Sequence, residues 1–244
     1  MKYSLGLVSV SFRKHTPKEI LAAMRSAELE FVEWGSDVHV PPDKAGEIAA
    51  LQDAYGISCC SYGTYFKLGV TPLCELQAYI GAAKILGTRI IRLWCGNKNS
   101  EEYTEDEKAE LFATCKAAAG IAENNGAVLC MECHGGTYTN TKESAYELIL
   151  AVDSKAFRMY WQPNQHRTVA ENLEYAKLLS PYTEHLHVFN WSGNKRYSLW
   201  EAKDVWREYL GCYDTHKTLL LEFMPDDRIE TLKNEAAALK EIAK

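Results

Sequence analysis

The stretch that decides the fold is Val128-Leu129-Cys130-Met131-Glu132-Cys133-His134-Gly135-Gly136-Thr137, an apolar run that ends in a carboxylate, a histidine and two glycines. Such a run is typical of a buried parallel strand that leads into a functional loop. Strand side chains alternate between two faces, so we expect Glu132 on the same face as Cys130 and opposite Met131. The two glycines allow a sharp backbone turn beside a ligand because they accept positive φ.

Three other apolar runs end in polar side chains in the same way. They span residues 158–164, 185–190 and 219–223. If the four strand ends converge, they bring together two carboxylates, an amide oxygen and an imidazole, a set of donors that suits a divalent cation. The predicted metal ligands are Glu132, Gln162, His187 and Glu222.

Apolar runs of strand length alternate with segments of helical period, and the chain contains eight such rounds. The other predicted strands span residues 4–12, 30–34, 57–61 and 89–94. The last strand, which contains the apolar run 219–223, is predicted to begin at residue 218. Without a linker or a detectable repeat, this pattern predicts an α/β fold, a single (β/α)8 TIM barrel that forms one domain over residues 1–244. The structural rival is an open doubly wound sheet. That fold would normally have a glycine-rich phosphate turn after its first strand, where this chain has Arg13-Lys14-His15.

Two local motifs predict where helices begin, and two segments are predicted to be loops. Thr16-Pro17-Lys18-Glu19 and Thr104-Glu105-Asp106-Glu107 are both typical of a capped helix start. Residues 62–66 are expected to form an aromatic loop after the third strand, and residues 191–196 a loop after the seventh.

Composition and charge exclude several classes of partner. The 244-residue chain is 47% hydrophobic, which is ample for a sizeable core. Its net charge is −6 and no Lys/Arg-rich run is present, so nucleic acid is not an expected partner. No apolar run is long enough to span a bilayer, and residues 1–12 do not resemble a signal peptide. We therefore expect a soluble cytoplasmic protein without a membrane partner, for which a homodimer is the default oligomer.

Eight cysteines are scattered through segments typical of a core, as expected for free thiols in a reducing compartment. Cys130-x-x-Cys133 has the spacing of a redox or zinc motif. On a strand, however, this spacing places the two thiols on opposite faces unless the backbone turns at Cys133. A redox or zinc role is therefore the disfavoured alternative for the pair.

Glu132 and Glu222 each end an otherwise apolar strand. An ionised carboxylate in such a place is costly unless it is paired or coordinated. A buried ion pair with an arginine such as Arg92 or Arg196 is one explanation, but two glutamates at strand ends favour ligation or catalysis. His187 alone would more often be a hydrogen-bonded core residue. Placed between two glutamates, it is predicted to be the imidazole ligand.

Two further residues belong to the predicted site. Gln162 contributes an oxygen without charge to the cage, the set of four predicted metal ligands. The cage should therefore bind metal more weakly than a site with three carboxylates, and the site could remain without metal. His185 lies on the same strand face as His187 and two residues deeper. We expect it to be a structural group that supports the ligands.

Aromatic and polar side chains near the predicted loop mouths resemble the lining of a sugar pocket, with apolar faces for C–H groups and a few donors for hydroxyls. Ordinary packing at the rim is the alternative for each of them. Arg196 could bind a phosphate group of the substrate, whereas the Lys195 side chain is expected to be solvated. The predicted substrate-contact residues are His134, His39, Trp34, Trp94, Tyr62, Arg196, Tyr65 and Trp191.

Over its whole length the chain resembles the xylose isomerase-like TIM barrels, a family of sugar phosphate isomerases and epimerases. Residues 131–137 are similar to the family's Glu-Asn-His-Gly-Gly-Thr, and His187-Val188-Phe189-Asn190 is similar to its His-x-x-Asp. The last strand ends in Glu222, as in the family. Residues 33–39 resemble the second-strand segment of an uncharacterised subgroup.

The resemblance implies one divalent ion, Mn²⁺, Mg²⁺ or Co²⁺, held by Glu132, Gln162, His187 and Glu222. Gln162 stands where the family has an aspartate, and Cys133 where asparagine is common. The first departure implies a weak or absent metal, although related hydroxypyruvate isomerases tolerate a glutamine in their cage.

The implied function is that of a sugar or sugar phosphate isomerase or epimerase. The metal would stabilise an enediolate while Glu132 and Glu222 act as an acid/base pair. Two alternatives remain open: a keto-sugar or inosose dehydratase that uses the same site, and a barrel that binds a sugar without turning it over.

Overall fold

Eight apolar runs pair side by side as parallel strands and close into a barrel. The computed structural model describes residues 2–244, so Met1 lies outside the described residues. The first and last barrel strands pair through Tyr3 opposite Lys217, which closes the ring. The predicted (β/α)8 TIM barrel is therefore confirmed. The strands are β1 Tyr3–Val8, β2 Phe31–Gly35, β3 Ser58–Leu68, β4 Ile90–Cys95, β5 Val128–Met131, β6 Phe157–Trp161, β7 Thr183–Val188, the hairpin pair β8 Trp191–Ser192 and β9 Lys195–Arg196, and β10 Lys217–Leu221.

Helices surround the barrel, and the two with predicted capping boxes begin where the sequence predicted. Thr16 and Thr104 each accept a hydrogen bond from the backbone N–H of the glutamate three residues later, and that glutamate accepts one in return, which confirms both capping boxes. Within residues 2–244, no helix combines the length and the apolar character needed to cross a membrane. The helices are α1 Pro17–Ser26, α2 Ala45–Tyr55, α3 Leu76–Ile85, α4 Glu105–Asn124, α5 Lys142–Val152, α6 Val169–Leu179, α7 Lys203–Leu210 and α8 Leu232–Ile242.

Side-chain alternation divides the core into two layers. On β5, Leu129 and Met131 pack outward against the helices, whereas Val128 and Cys130 belong to a small cluster inside the barrel. The predicted faces of this strand are therefore confirmed. The inner cluster fills the barrel interior below the carboxyl ends of the strands, and Tyr160 and Leu220 are among its members.

The cysteines are free thiols, and Cys130 and Cys133 contact different parts of the core. Cys130 lies in the inner cluster, while Cys133 packs against the outer one. This arrangement agrees with the prediction that the strand places the two sulfurs on opposite faces.

Three predicted segments differ from the structure. The predicted loop 62–66 is part of β3, because a register shift between Gly63 and Lys67 lets the strand continue its pairing with β4. Strand β1 ends at Val8, and residues 9–12 form a 3-10 turn instead of the end of the strand. The predicted loop 191–196 contains the β8–β9 hairpin.

Candidate active site

A cavity of about 380 Å³ opens at the carboxyl ends of the barrel strands. Its floor is polar and includes Glu132, Gln162 and Glu222. Its walls are aromatic, with side chains from several separate loops and strand ends. These wall residues are Tyr65, Trp94, Phe189, Trp191 and Phe223.

The four predicted cage residues converge at this floor. Donor atoms of Glu132, His187 and Glu222 lie within 4.8 Å of one another. Nδ1 of His187 lies 3.8 Å from Glu132 Oε1, 3.6 Å from Glu222 Oε2 and 3.1 Å from Gln162 Oε1. One imidazole nitrogen therefore faces all three oxygen donors. The structure brings the donors together, and their role as metal ligands remains a prediction.

Backbone contacts fix the strand ends that carry the two glutamates. The Glu132 N–H donates to the Leu93 carbonyl on β4, and the Glu132 carbonyl accepts from Thr139 Oγ1. The Glu222 N–H donates to the Val188 carbonyl on β7. The next residue, Phe223, has a φ of 53°, so the chain turns away immediately after the carboxylate. Both carboxylates are thereby held over the barrel mouth.

Glu33 is a site residue that the sequence analysis missed. This β2 carboxylate is fully buried, accepts a hydrogen bond from Arg92 Nε at 2.8 Å, and lies 3.4 Å from His187 Nε2. The other edge of the Arg92 guanidinium donates to Glu132 at 2.6 Å. The alternative of an ion pair between Glu132 and Arg92 is therefore confirmed, in addition to the convergence with His187. A charged residue inside each of two apolar strands is the signal that could have revealed this pair.

Burial and neighbouring charges favour protonation of His187 and Glu222. Burial alone would lower the pKa of His187, but Glu222, Glu33 and Glu132 outweigh it and raise this pKa to about 9. Burial raises the pKa of Glu222 to about 7, against the opposing charge of His187. Burial also acts to raise the pKa of Glu33, but Arg92 and His187 outweigh it and hold that pKa well below its ordinary value.

The donor set fits a divalent cation. Metal–ligand bonds of about 2.0–2.2 Å place the donors of one ion within roughly 4.4 Å of each other, close to the observed limit of 4.8 Å. The charges agree as well. Glu33, Glu132 and Glu222 carry three negative charges against one positive charge on Arg92, so two charges need balancing when His187 is neutral. A divalent cation supplies the two positive charges that balance them.

A family model described as a xylose isomerase-like TIM barrel matches residues 21–216. The chain belongs to this family. Among characterised proteins, the chain is similar to a 3-dehydroshikimate dehydratase from Bacillus anthracis, with 22% identity over 228 residues that cover 84% of this chain and 78% of that protein.

Solved structures with the same barrel include proteins of several activities. A probable 3-DHS dehydratase from Bacillus anthracis aligns with a TM-score of 0.78 at 16% identity, over 97% of this chain and 98% of that one. D-psicose 3-epimerase from Clostridium cellulolyticum H10, solved with D-tagatose, aligns with a TM-score of 0.70 at 14% identity, over 98% of both chains. The IOLI protein, with a bound zinc atom, aligns with a TM-score of 0.76 at 14% identity, over 98% of this chain and 96% of that one. Proteins with this barrel thus include one described as an epimerase and one described as a probable dehydratase.

Four of the predicted contact residues line the cavity of this xylose isomerase-like barrel. They are Trp94, His134, Tyr65 and Trp191. The Trp94 and His134 rings are stacked with centroids 4.9 Å apart, and Trp94 Nε1 donates to Glu132 Oε2 at 2.7 Å. Trp94 therefore connects the cavity wall to the carboxylate floor.

Trp34, Tyr62 and His39, which were predicted to contact substrate, do not line the cavity. Trp34 follows the inward-facing Glu33 and therefore points outward, where its Nε1 donates to Gln52. Tyr62 lies on the outer face of β3, with its hydroxyl donating to a backbone carbonyl. His39 is buried away from the cavity, with its Nδ1 3.0 Å from a serine hydroxyl. Strand alternation, together with the continuation of β3, places Trp34 and Tyr62 in the outer core, whereas His39 lies in the turn after β2.

Arg196, also predicted to contact substrate, does not line the cavity. Its guanidinium lies 4.8 Å from the ring centroids of both Trp191 and Phe223 and pairs with Asp227. Arg196 thus supports the cavity wall from behind. His185 lies deeper in the barrel, where Nε2 is 3.3 Å from the Cys60 carbonyl, consistent with the expected structural role.

Proposed function

We propose that the protein is a divalent-metal-dependent enzyme that transfers a proton next to the carbonyl group of a sugar or sugar phosphate, as an isomerase or epimerase. The single observation that carries this proposal is the convergence of Glu132, His187 and Glu222 within 4.8 Å below an open cavity. The relatives described as D-psicose 3-epimerase and as a zinc-containing protein support the same class of site.

Four side chains would hold the cation: Glu132, Gln162, His187 and Glu222. A bound divalent cation would polarise the substrate carbonyl and stabilise the negative oxygen of an enediolate. Arg92 and Trp94 both donate to Glu132 Oε2, which leaves Oε1 directed toward His187. The chain therefore orients one oxygen of Glu132 toward the cage and fixes the other.

Glu222 is suited to move the substrate proton. It lines the cavity, and apart from the approach of His187 its carboxylate has none of the strong donors that hold Glu132. In the metal-free site burial raises its pKa to about 7, so the carboxylate is basic enough to accept a proton near neutral pH. Return of the proton to the neighbouring carbon by Glu222 gives isomerisation. Epimerisation requires instead that a protonated Glu132 gives its proton to the opposite face while Glu222 keeps the proton it has removed.

The cavity walls suit a small polyhydroxy compound. Flat aromatic surfaces at Tyr65, Trp94 and Trp191 can pack against C–H groups, while Gln162 and His134 offer polar atoms to hydroxyls. This mixture of apolar and polar lining supports a sugar-sized substrate.

The test combines metal analysis with a deuterium experiment. Protein purified without chelator is analysed for bound metal and then incubated with aldoses and ketoses, with and without phosphate, in D₂O containing Mg²⁺. We expect proton NMR to show exchange of the hydrogen next to the carbonyl and formation of an isomer or epimer.

Glu222→Gln should lower turnover by about 10²–10⁴-fold. The control Glu184→Gln, which alters a salt-bridged glutamate on β7 away from the cavity, should leave turnover unchanged. Turnover that survives Glu222→Gln would refute the proposal, and so would a protein that neither binds metal nor exchanges hydrogen.

A dehydratase is the second candidate, favoured by the 3-dehydroshikimate dehydratase among the relatives. The same proton abstraction would be followed by loss of a β-hydroxyl, with His134 at the cavity mouth available as the acid. The same NMR experiment separates the two reactions. Dehydration releases water and creates an unsaturated product that absorbs in the ultraviolet, whereas an isomer keeps the formula of the substrate.

A further inference from the structure

We propose, on the basis of the metal site proposed above, that Glu33 is a positioning residue that orients the His187 imidazole so that Nδ1 is the ligand atom. Glu33 does not line the cavity and acts through His187. The two imidazole nitrogens lie on different edges of one ring, and each faces a different group of the site.

The environments of the two nitrogens assign their roles. Nε2 of His187 lies 3.4 Å and 3.5 Å from the two oxygens of Glu33. Nδ1 faces the oxygens of Glu132, Glu222 and Gln162. A carboxylate can only accept a hydrogen bond, so it keeps the proton on Nε2 and leaves the Nδ1 lone pair available for a cation.

Arg92 connects this orienting carboxylate to the cage itself. Its Nε donates to Glu33 and its Nη1 donates to Glu132, at 2.8 Å and 2.6 Å. One guanidinium therefore fixes both the group behind His187 and a carboxylate beside it. Since Glu33 and Arg92 are both almost completely buried, neither charge can be screened by water.

Gly63 provides the space for this arrangement. A Cβ atom at this β3 position would lie 2.7 Å from Glu33 Oε1 and 2.9 Å from Arg92 Nη2. The neighbouring strand thus leaves room for the two charged groups where any larger residue would displace them. The pair has a defined place in the barrel, which a role in orienting a ligand requires.

The experiment measures Zn²⁺ affinity by calorimetry and the His187 imidazole ¹⁵N shifts of the Zn²⁺-loaded protein by NMR, with the His187 signals assigned by their loss in His187→Gln. In the parent protein we expect metal on Nδ1 and a proton on Nε2. Glu33→Gln should weaken Zn²⁺ binding by about 10–100-fold and alter the Nε2–H signal. Glu33→Asp, which keeps the carboxylate, should restore part of the Zn²⁺ affinity and part of the parental Nε2–H signal. The control Glu184→Gln, which alters a partly buried salt bridge with Arg158 away from the cavity, should change neither the Zn²⁺ affinity nor the Nε2–H signal.

The outcomes separate this inference from the proposed function. A parent protein that binds no Zn²⁺ overturns both. Zn²⁺ on Nε2 of His187 in the parent overturns the inference alone, and this reading does not depend on whether any Glu33 variant folds. A folded Glu33→Gln variant that retains parental affinity and His187 shifts also overturns the inference alone and assigns the Glu33–Arg92 pair a purely structural role.

Discussion

Replacement of Gly63 by alanine tests whether the buried Glu33–Arg92 pair is fixed in space. The new Cβ would approach both charged groups to less than 3 Å, closer than ordinary van der Waals contact allows. Gly63 lies in β3 without a positive φ, so alanine fits its backbone conformation. The cost of the substitution therefore comes from packing alone.

The expected loss of stability follows from this crowding. Overpacking a tight core costs about 1–3 kcal/mol, and displacement of a buried ion pair adds to that, so we expect the free energy of unfolding to fall by about 2–4 kcal/mol. For a chain of this length the melting temperature should fall by roughly 4–16 °C.

The matched control is Gly120→Ala in the interior of α4, where no atom lies within 4 Å of the added Cβ. That variant should gain about 0.5–1 kcal/mol because alanine is the better helix former. Urea unfolding followed by circular dichroism, with thermal unfolding as a check, measures both variants. If Gly63→Ala is as stable as Gly120→Ala, then Glu33 and Arg92 move aside freely and the site is not rigid at this point.

Four further predictions concern the cage, the cavity wall and the outer core behind it. The pKa of His187 is raised to about 9, so its proton must leave when metal binds, and Zn²⁺ affinity should rise by about tenfold per pH unit from pH 7 to 9. Calorimetry in buffers of different ionisation enthalpy should detect this released proton, and an affinity independent of pH would contradict the ligand role. Gln162→Asp should bind Mn²⁺ more tightly than the parent in the same assay, and equal or weaker binding would refute the placement of Gln162 in the cage. Trp34→Phe should destabilise the fold by about 1–3 kcal/mol, because the buried Gln52 oxygen loses its donor, with catalysis unchanged. Trp94→Phe should instead weaken metal or substrate binding, because Glu132 loses a donor beside the cavity. Matching effects of the two tryptophan variants on activity would show that the assignment of faces is wrong.

The barrel could be predicted because its strands carry their signal locally. Each is an apolar run bounded by helix starts, and capping boxes such as the one at Thr16 are complete within four residues. Alternation along β5 also fixed the face of Glu132 without any knowledge of its neighbours. The end of β3 could not be predicted in this way, because it depends on a register shift that is defined only by pairing with β4.

The cage was predicted more completely than the residues around it, because its glutamates also carry a local signal in the sequence. Glu132 and Glu222 end apolar strands, and a carboxylate in that position needs a partner whatever the partner is. The identity of that partner is not local: Arg92 reaches Glu33 across 59 residues of sequence and Glu132 across 40. Trp34 was misplaced because its outward direction follows from the inward direction of Glu33, which only those long-range contacts establish.

The charges of the buried site explain how a glutamine can stand among its metal-ligand candidates. Arg92 is cancelled by one carboxylate, Glu33, so Glu132 and Glu222 together match the charge of a divalent ion. A third carboxylate at Gln162 would strengthen the attraction for the ion but would add an unbalanced negative charge beside the buried carboxylates of the metal-free protein. Tighter metal binding and a less stable metal-free fold should therefore appear together in Gln162→Asp. Because both effects follow from one added charge, the parent's glutamine is consistent with a site that keeps its metal-free form stable at some cost in affinity.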